Sequence, residues 1–309
     1  MTRDRTWLVA IAASLWGSSA LLREPLAGAV DASTIVLYEH VIIVALLSPW
    51  ALSALRRWAQ APARVRAAAV IIGAGSSALA TTLFTAAFAY GDPITPQVLQ
   101  KLQPLVAIAL AAALLGERLR PRFAWFAVPA LIGAWMLSFA DPFSIAIADA
   151  QAAALALGAA ALWAGGTVLG RLVGTDLGAR DTLVLRFVFG LPSAAIIVAI
   201  LGAHWTMPIE KAPSLIALAL IPGLLALALY YVGLQRTAAS RATLAELMFP
   251  VTAAVVGVTM LDATLTTSRW VGLAIVVASI TGLALNERRS RRPAVIVDPS
   301  GVTSDRVAT

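Results

Sequence analysis

Four charged residues interrupt apolar stretches of the sequence: Glu39, Lys101, Arg186 and Glu246. A charged side chain inside a bilayer costs at least about 2.5–3.5 kcal/mol, so each of them is a functional hypothesis by default. The set contains two acids and two bases. We therefore predict two acid–base pairs, Glu39 with Lys101 and Arg186 with Glu246.

Three hypotheses for these pairs stay open. In the first, the pairs are gates that open alternately, and water resolvates the charges of the open pair. In the second, they are permanent ion pairs that hold helices together. In the third, the paired residues are not in contact. Arg and Lys also hold carboxylates and Glu holds ammonium groups, so a site with both signs suits a zwitterion such as an amino acid. A buried carboxylate can carry a proton, which makes Glu39 and Glu246 the candidates for proton coupling. His40 either titrates with them or is a static interfacial histidine.

Uncharged polar residues extend this set. Ser77, Thr81 and Thr85 follow Gly73 at i, i+4 spacing, on one helix face. Close helix packing and a hydroxyl-lined cavity both explain that face. Gly166, Gly170 and Gly174 repeat the small-residue spacing, for which packing or a dimer interface are the alternatives.

Polar groups also mark other apolar stretches, and in a bilayer they need partners or water. Gln97 shares a face with Lys101, and Tyr230 makes the end of a later stretch polar. Trp16 and Trp163 lie too deep for interfacial anchors, and either pack in the core or line a cavity. The predicted substrate-binding or gating residues are Trp16, Glu39, Thr81, Thr85, Gln97, Lys101, Trp163, Arg186, Tyr230 and Glu246.

The composition indicates a membrane protein. Of 309 residues, 60% are hydrophobic and 13% charged, whereas soluble domains have about 45–50% apolar and about 25% charged residues. The absence of cysteine excludes disulfides and thiolate sites, and two histidines disfavour a metal centre. The sequence has no His-Glu-x-x-His motif, Asp-rich diphosphate motif or phosphate loop, so we predict neither an enzyme nor a cofactor.

Apolar stretches separated by charged or Pro- and Gly-containing turns predict ten membrane-spanning helices. Their predicted limits are 7–22, 33–54, 67–90, 94–115, 122–139, 150–169, 182–202, 214–235, 242–261 and 268–285. A cleaved signal peptide is the alternative for the first stretch, but its residues do not resemble a small-residue cleavage site.

Basic residues collect on one side of these helices. That side has 17 of them and both termini, whereas the other has only Arg23, Lys211 and Arg269. The positive-inside rule then places both termini in the cytoplasm of a bacterial-type inner membrane. Since the net charge of +7 sits in short loops, we predict no nucleic-acid partner. Residues 287–309 are polar and predict a disordered cytoplasmic tail.

This orientation places the predicted pairs. Glu39 and Lys101 lie about two helical turns below the outer surface. Arg186 and Glu246 lie about one turn above the inner surface. We therefore expect one pair near each mouth of a pathway.

The sequence repeats weakly after about 147 residues. Leu15-Trp16-Gly17 resembles Leu162-Trp163-Ala164, and Pro104 has a counterpart in Pro250. The predicted halves are residues 1–145 and 146–286, with five helices each. Since five is odd, the second half enters the membrane from the opposite side, which predicts an inverted repeat. Two such halves can exchange shapes and open a central site alternately to either side.

Residues Pro104 to Leu119, which end in Gly-Glu-Arg-Leu, resemble the end of the fourth helix in EamA-type transporters of the drug/metabolite transporter superfamily. Leu15 to Ser18 resemble the start of their first helix, and Trp125 to Leu137 resemble their fifth. The resemblance covers residues 7–286 and implies a ten-helix bundle, a central cavity and transport without ATP. The second half departs from the signature, because Asp262 to Leu265 lack the Glu-Arg pair. Members carry varied metabolites, so the resemblance leaves the substrate open.

Together these patterns predict an all-α polytopic membrane protein that is a secondary-active or facilitative carrier of a small polar metabolite such as an amino acid. The family resemblance favours export. The alternatives are an exporter of apolar drugs or other metabolites, and a non-transporting channel or scaffold. The expected partners are the substrate and the lipid bilayer. Both halves lie in one chain, so we expect a monomer or a weak dimer.

Overall fold

The computed structural model describes residues 5–90, 93–103, 105–106, 124–138, 147–234, 245–246 and 248–290. These residues form helices and turns and contain no strand. The helices of the first half are α1 (Thr6–Gly17), α2 (Ala20–Ala27), α3 (Ala32–Gln60), α4 (Ala63–Ile71), a π-helix (Ile72–Leu79), α5 (Ala80–Ala87), α6 (Ile94–Leu99), a 3₁₀ turn (Gln100–Leu102) and α7 (Ala124–Ser138). Those of the second half are α8 (Ile147–Leu201), a 3₁₀ turn (Ile209–Lys211), α9 (Ala212–Leu218), a π-helix (Ala219–Leu225), α10 (Ala226–Leu234), α11 (Met248–Met260) and α12 (Thr267–Ser290).

Five described helical stretches are long and apolar enough to cross a membrane. They are Ala32–Gln60, Ala63–Ala87, Ile147–Gly166, Leu172–Leu201 and Ile209–Tyr230. Shorter apolar helices cover Ala124–Leu137, Met248–Met260 and Thr267–Gly282. The predicted helices 94–115 and 242–261 extend beyond the described residues, as do the Gly-Glu-Arg-Leu signature and the tail after Ser290.

The first predicted helix, 7–22, is broken into two short helices. α1 ends at Gly17, and the Ser18 hydroxyl donates to the Leu15 carbonyl at 2.9 Å across the break. A Cβ at Gly17 would lie 2.5 Å from the carbonyl oxygen of Phe249, so α11 packs directly against this end. Two turn residues, Ser18 and Ser19, separate α1 from α2, and α2 buries Arg23 together with two apolar side chains.

Two π-helical segments begin at Ile72 and at Ala219. The separation of these two residues equals the offset at which the sequence repeats. Each segment continues the helix before it and the helix after it. π-helical turns are rare and occur frequently at functional sites, so their recurrence marks equivalent places in the two halves.

The long helix α8 covers two predicted spans and is kinked between them at Gly178. Gly178 has φ 78° and ψ 166°, a backbone conformation that favours glycine. Just after the kink, the buried Asp181 accepts a hydrogen bond from Nε of Arg57 and another at 2.8 Å from its Nη2. This ion pair joins the end of α3 to the second part of α8.

Separate apolar clusters hold the bundle together. One contains Leu99, Leu137 and Val276, from α6, α7 and α12, and another contains Ile43, Val65 and Val184, from α3, α4 and α8. α7 and α12 approach closely where two glycines face each other. A Cβ at Gly133 would lie 2.8 Å from the carbonyl oxygen of Gly272, and one at Gly272 would lie 2.6 Å from that of Gly133.

Candidate functional site

A buried ion pair joins α2 to α3. Nη2 of Arg23 lies 3.1 Å from Oε1 of Glu39, and its Nη1 lies 3.4 Å from Oε2. The same Nη1 donates to the hydroxyl of Thr85 in α5. The exposed fractions of Arg23, Glu39 and Thr85 are 6%, 5% and 0%. Three helices of the first half therefore meet at one charged cluster.

Arg23 is the cation that sequence reasoning missed, since we predicted Lys101 as the partner of Glu39. The side chain of Lys101 lies outside the described part of the structure. A usable signal existed, because Arg23 is one of three basic residues on the predicted outer side. The other two are also engaged: Arg269 lies 3.4 Å from Asp149, and Nζ of Lys211 donates to a backbone carbonyl at 3.5 Å.

Trp163 and Arg186 meet at the first π-helical segment. The carbonyl oxygen of Ser76 accepts a hydrogen bond from Nε1 of Trp163 at 2.9 Å and another from Nη2 of Arg186 at 3.1 Å. The Ser76 hydroxyl donates to the Leu162 carbonyl at 2.8 Å. Gly166 makes this approach feasible, because a Cβ there would collide with the Ser76 side chain.

Trp16 makes the equivalent contact at the second π-helical segment. Its Nε1 donates to the carbonyl oxygen of Pro222 at 2.9 Å. Its ring also packs on Tyr230, with centroids 5.1 Å apart, and the Tyr230 hydroxyl donates to Oε1 of Glu246 at 2.7 Å. Three of the predicted site residues, Trp16, Tyr230 and Glu246, therefore lie together beside this segment.

The predicted pair of Arg186 and Glu246 does not form among the described contacts. Each residue has a different partner: a backbone carbonyl for Arg186 and a phenol for Glu246. Equivalent depth in two helices does not determine which faces of those helices meet.

The predicted face of small and hydroxyl residues divides between packing and polar contacts. A Cβ at Gly73 would lie 2.5 Å from Cβ of Phe189, so this glycine serves close packing. The Ser77 hydroxyl lies 2.9 Å from Nε2 of His40, whose Nδ1 lies 2.8 Å from the Val36 carbonyl. With both ring nitrogens engaged and 2% of the residue exposed, His40 has the features of the static alternative. Thr81 is partly buried.

Gln97 is fully buried in α6. Its Nε2 donates to the Pro93 carbonyl at 3.1 Å, and its Oε1 has no partner among the described residues. A buried amide oxygen without a partner is costly, so Gln97 is a candidate for contacting a bound molecule or water.

Aromatic contacts link the Arg23 cluster to the first π-helical segment. The guanidinium carbon of Arg23 lies 5.8 Å from the centroid of Phe84, within the range of a cation–π interaction. Phe84 in turn packs on Trp163 with centroids 5.2 Å apart. A continuous set of contacts therefore runs from Arg23 to Arg186.

The predicted outer side has a surface concavity of about 560 Å³ beside the α2–α3 turn, and Asp31 and His204 contribute to its lining. Oδ2 of Asp31 accepts hydrogen bonds from the His204 backbone N–H at 2.9 Å and from its ring Nδ1 at 3.1 Å. These hydrogen bonds lower the pKa of Asp31 below its usual value, and the bond from the His204 backbone has the larger effect. Within the described ranges, no group of three or more acidic or histidine side chains is placed to hold a metal ion.

Comparison with known proteins supplies the family. The sequence model described as the EamA-like transporter family matches residues 6–139 and 150–285. The chain is 28% identical over 190 residues to the uncharacterized transporter YwfM of Bacillus subtilis (strain 168), covering 61% of this chain and 63% of that protein. It is 29% identical over 187 residues to the riboflavin transporter ImpX of Fusobacterium nucleatum subsp. nucleatum, covering 59% and 62%. The chain thus matches less than two thirds of each relative's length.

A solved structure shows the same fold. This chain superposes on a solved crystal structure with a TM-score of 0.62 at 22% sequence identity. The superposition covers 94% of this chain and 100% of that one.

Proposed function

We propose that this chain, which belongs to the EamA-like transporter family, is a multi-pass membrane transporter and not an enzyme, and that it carries a small polar metabolite by alternating access. In this proposal ten helices form two inverted five-helix halves, which exchange shapes around a central site. The termini are cytoplasmic, the membrane is a bacterial inner membrane, and transport runs outward.

The two tryptophan–carbonyl contacts carry this proposal. Trp16 and Trp163 occupy equivalent positions in the sequence repeat, and each donates to a π-helical segment of the other half. The two acceptor segments also begin at equivalent positions, Ile72 and Ala219. Halves that contact each other through equivalent residues can exchange conformations with a small change in free energy. Alternating access requires such an exchange.

The Arg23–Glu39–Thr85 cluster supports a closed gate on the predicted outer side. Its charges are buried and satisfy one another. When the gate opens, water would replace the lost contacts, so separation costs less than breaking the pair in a dry interior. The opposing hypothesis is a permanent ion pair, and transport by a charge-reversed pair separates the two.

A second candidate substrate class is a planar heterocycle. ImpX is named a riboflavin transporter, and this chain has two aromatic pairs at equivalent places, Trp16 with Tyr230 and Trp163 with Phe84. Aromatic side chains offer ring faces and edges against which a flat ring system packs. The amino acid class rests instead on the buried charges of both signs.

Flux in proteoliposomes tests the proposed function. The purified protein would be assayed with amino acids, riboflavin and neutral metabolites, with and without a pH gradient. We expect saturable flux of one class, and acceleration by the gradient would establish proton coupling. Absence of flux for every class from a folded, monodisperse protein would contradict the proposal.

A further inference from the structure

Arg186 is partly buried and, unlike the buried Arg23 and Arg269, has no acidic partner among the described residues. Arg23 is paired with Glu39, and Arg269 with Asp149. Arg186 lies within the apolar stretch Leu172–Leu201, and its described partner is a single backbone carbonyl, that of Ser76. An uncompensated guanidinium in a membrane interior is costly, so its presence there requires an explanation.

The guanidinium of Arg186 has unused donors. Arginine carries five N–H groups, and the one protein hydrogen bond in the described structure comes from Nη2 at 3.1 Å. Nε is buried and has no partner among the described residues. Nε of Arg23 is in the same situation, but that guanidinium is already neutralised by the Glu39 carboxylate. Unlike Arg23 and Arg269, Arg186 therefore combines spare donors with a charge that no acidic group among the described residues neutralises.

The surroundings fix the guanidinium in place. Its Nη2 and Nε1 of Trp163 donate to the same oxygen, at 3.1 and 2.9 Å, so the two nitrogen atoms are close neighbours. The indole therefore provides an apolar and aromatic surface beside the free donors. A fixed guanidinium fork binds carboxylates with two parallel hydrogen bonds more readily than a mobile one.

We propose that Arg186 binds the carboxylate of the transported substrate, with the apolar part of that substrate against Trp163. This inference rests on the proposed transport function and narrows its substrate class to organic carboxylates, which include amino acids. It also assigns the anion site to α8 and the π-helical segment around Ser76, and not to the neutralised Arg23–Glu39 cluster.

Ligand-induced thermal stabilisation of the detergent-solubilised full chain tests this assignment. The probes are the proteinogenic amino acids and common 2-oxo acids, each beside its primary amide, which lacks the negative charge. The variant is Arg186→Gln. The matched control is Arg180→Gln, earlier in α8, where the side chain is 60% exposed. Arg186→Lys keeps the charge and is the second variant in case the glutamine variant does not fold.

We expect at least one carboxylate, and not its amide, to stabilise the wild type and Arg180→Gln. Its affinity should fall at least about tenfold in Arg186→Gln and by less in Arg186→Lys. The inference is overturned if no carboxylate stabilises the wild type, if the amide works equally well, or if affinity survives in Arg186→Gln. If the glutamine variant does not fold, unchanged affinity in Arg186→Lys overturns it, because loss of the fork should weaken bidentate binding.

Parallel flux assays separate this inference from the proposed function. Flux of riboflavin or another neutral molecule without carboxylate binding would sustain transport and overturn the role of Arg186. Carboxylate binding through Arg186 without flux of any probe would sustain the binding site and contradict the proposed function.

Discussion

Trp16 and Trp163 occupy equivalent positions in the repeat and make equivalent hydrogen bonds, each 2.9 Å long, to backbone carbonyls in π-helical segments. In each case the acceptor belongs to the other half of the chain, at Pro222 and Ser76. Each ring also packs on an aromatic residue just after the opposite π segment, Tyr230 for Trp16 and Phe84 for Trp163. The two halves therefore hold each other by reciprocal contacts, which suits halves that exchange roles.

Replacing either tryptophan by phenylalanine should weaken this reciprocal contact, because phenylalanine keeps a ring but lacks the N–H donor. We expect Trp16→Phe and Trp163→Phe each to lose about 0.5–1.5 kcal/mol of folding stability. The two variants should also slow transport by similar factors. Thermal melts and flux assays measure both effects. Trp205→Phe, at a residue 52% exposed, is the control. Slow transport in only one of the two variants would argue against equivalent roles.

Gly166 and Gly165 offer a matched test of the contact between α8 and the first π-helical segment. A Cβ at Gly166 would collide with the Ser76 side chain, whereas nothing lies within 4 Å of one at Gly165. Gly166→Ala should therefore destabilise the protein by about 1–3 kcal/mol. Gly165→Ala should be neutral or stabilise by up to about 1 kcal/mol. Equal melting temperatures for the two variants would show that this contact is not close.

Breaking the Arg23–Glu39 pair should reduce folding stability more than breaking the less buried Arg269–Asp149 pair. Glu39→Gln leaves Arg23 charged and unpaired, which costs about 3–5 kcal/mol. Asp149→Asn should cost less, because the side chain of Asp149 is 17% exposed compared with 7% for Glu39. Denaturation in detergent measures both losses, and an equal or larger loss for Asp149→Asn would contradict this ranking.

The charge-reversed variant, Arg23→Glu with Glu39→Arg, tests whether the Arg23–Glu39 pair is a gate or a permanent ion pair. It should recover much of the stability that Glu39→Gln loses. A gate tuned to its surroundings, including Thr85, predicts recovery of folding without recovery of transport. Recovery of both would favour a permanent structural pair.

Some of the contacts between the two halves could be predicted from the sequence and others could not. The equivalence of Trp16 and Trp163 was visible because the repeat preserves their neighbours. Their acceptors were not, since the π-helical segments at Ile72 and Ala219 have no signature among the patterns we used. The pairing of Arg23 with Glu39 depends on the packing of α2 against α3 and α5, which the sequence patterns do not specify. Sequence depth alone placed Arg186 and Glu246 at one level but could not specify facing sides.

The Asp31–His204 contact predicts a small acid sensitivity on the predicted outer side. Because hydrogen bonds lower the pKa of Asp31, its stabilising contribution is present above the usual pKa of about 3.9 and is lost as pH falls through the lower folded value. The carboxylate is 44% exposed, so the contribution should stay below about 1 kcal/mol. The melting difference between wild type and Asp31→Asn should shrink from pH 5 to pH 3. A melting-temperature difference that increases from pH 5 to pH 3 would contradict a stabilising role for the Asp31 carboxylate.

Counterflow in proteoliposomes tests alternating access most directly. Vesicles are loaded with an unlabelled carboxylate that binds the protein, and uptake of the same labelled compound is followed. A carrier with exchanging halves predicts faster uptake and transient accumulation above equilibrium, both lost in Arg186→Gln and retained in Arg180→Gln. Uptake that is non-saturable and insensitive to the internal load would contradict the account and indicate a channel.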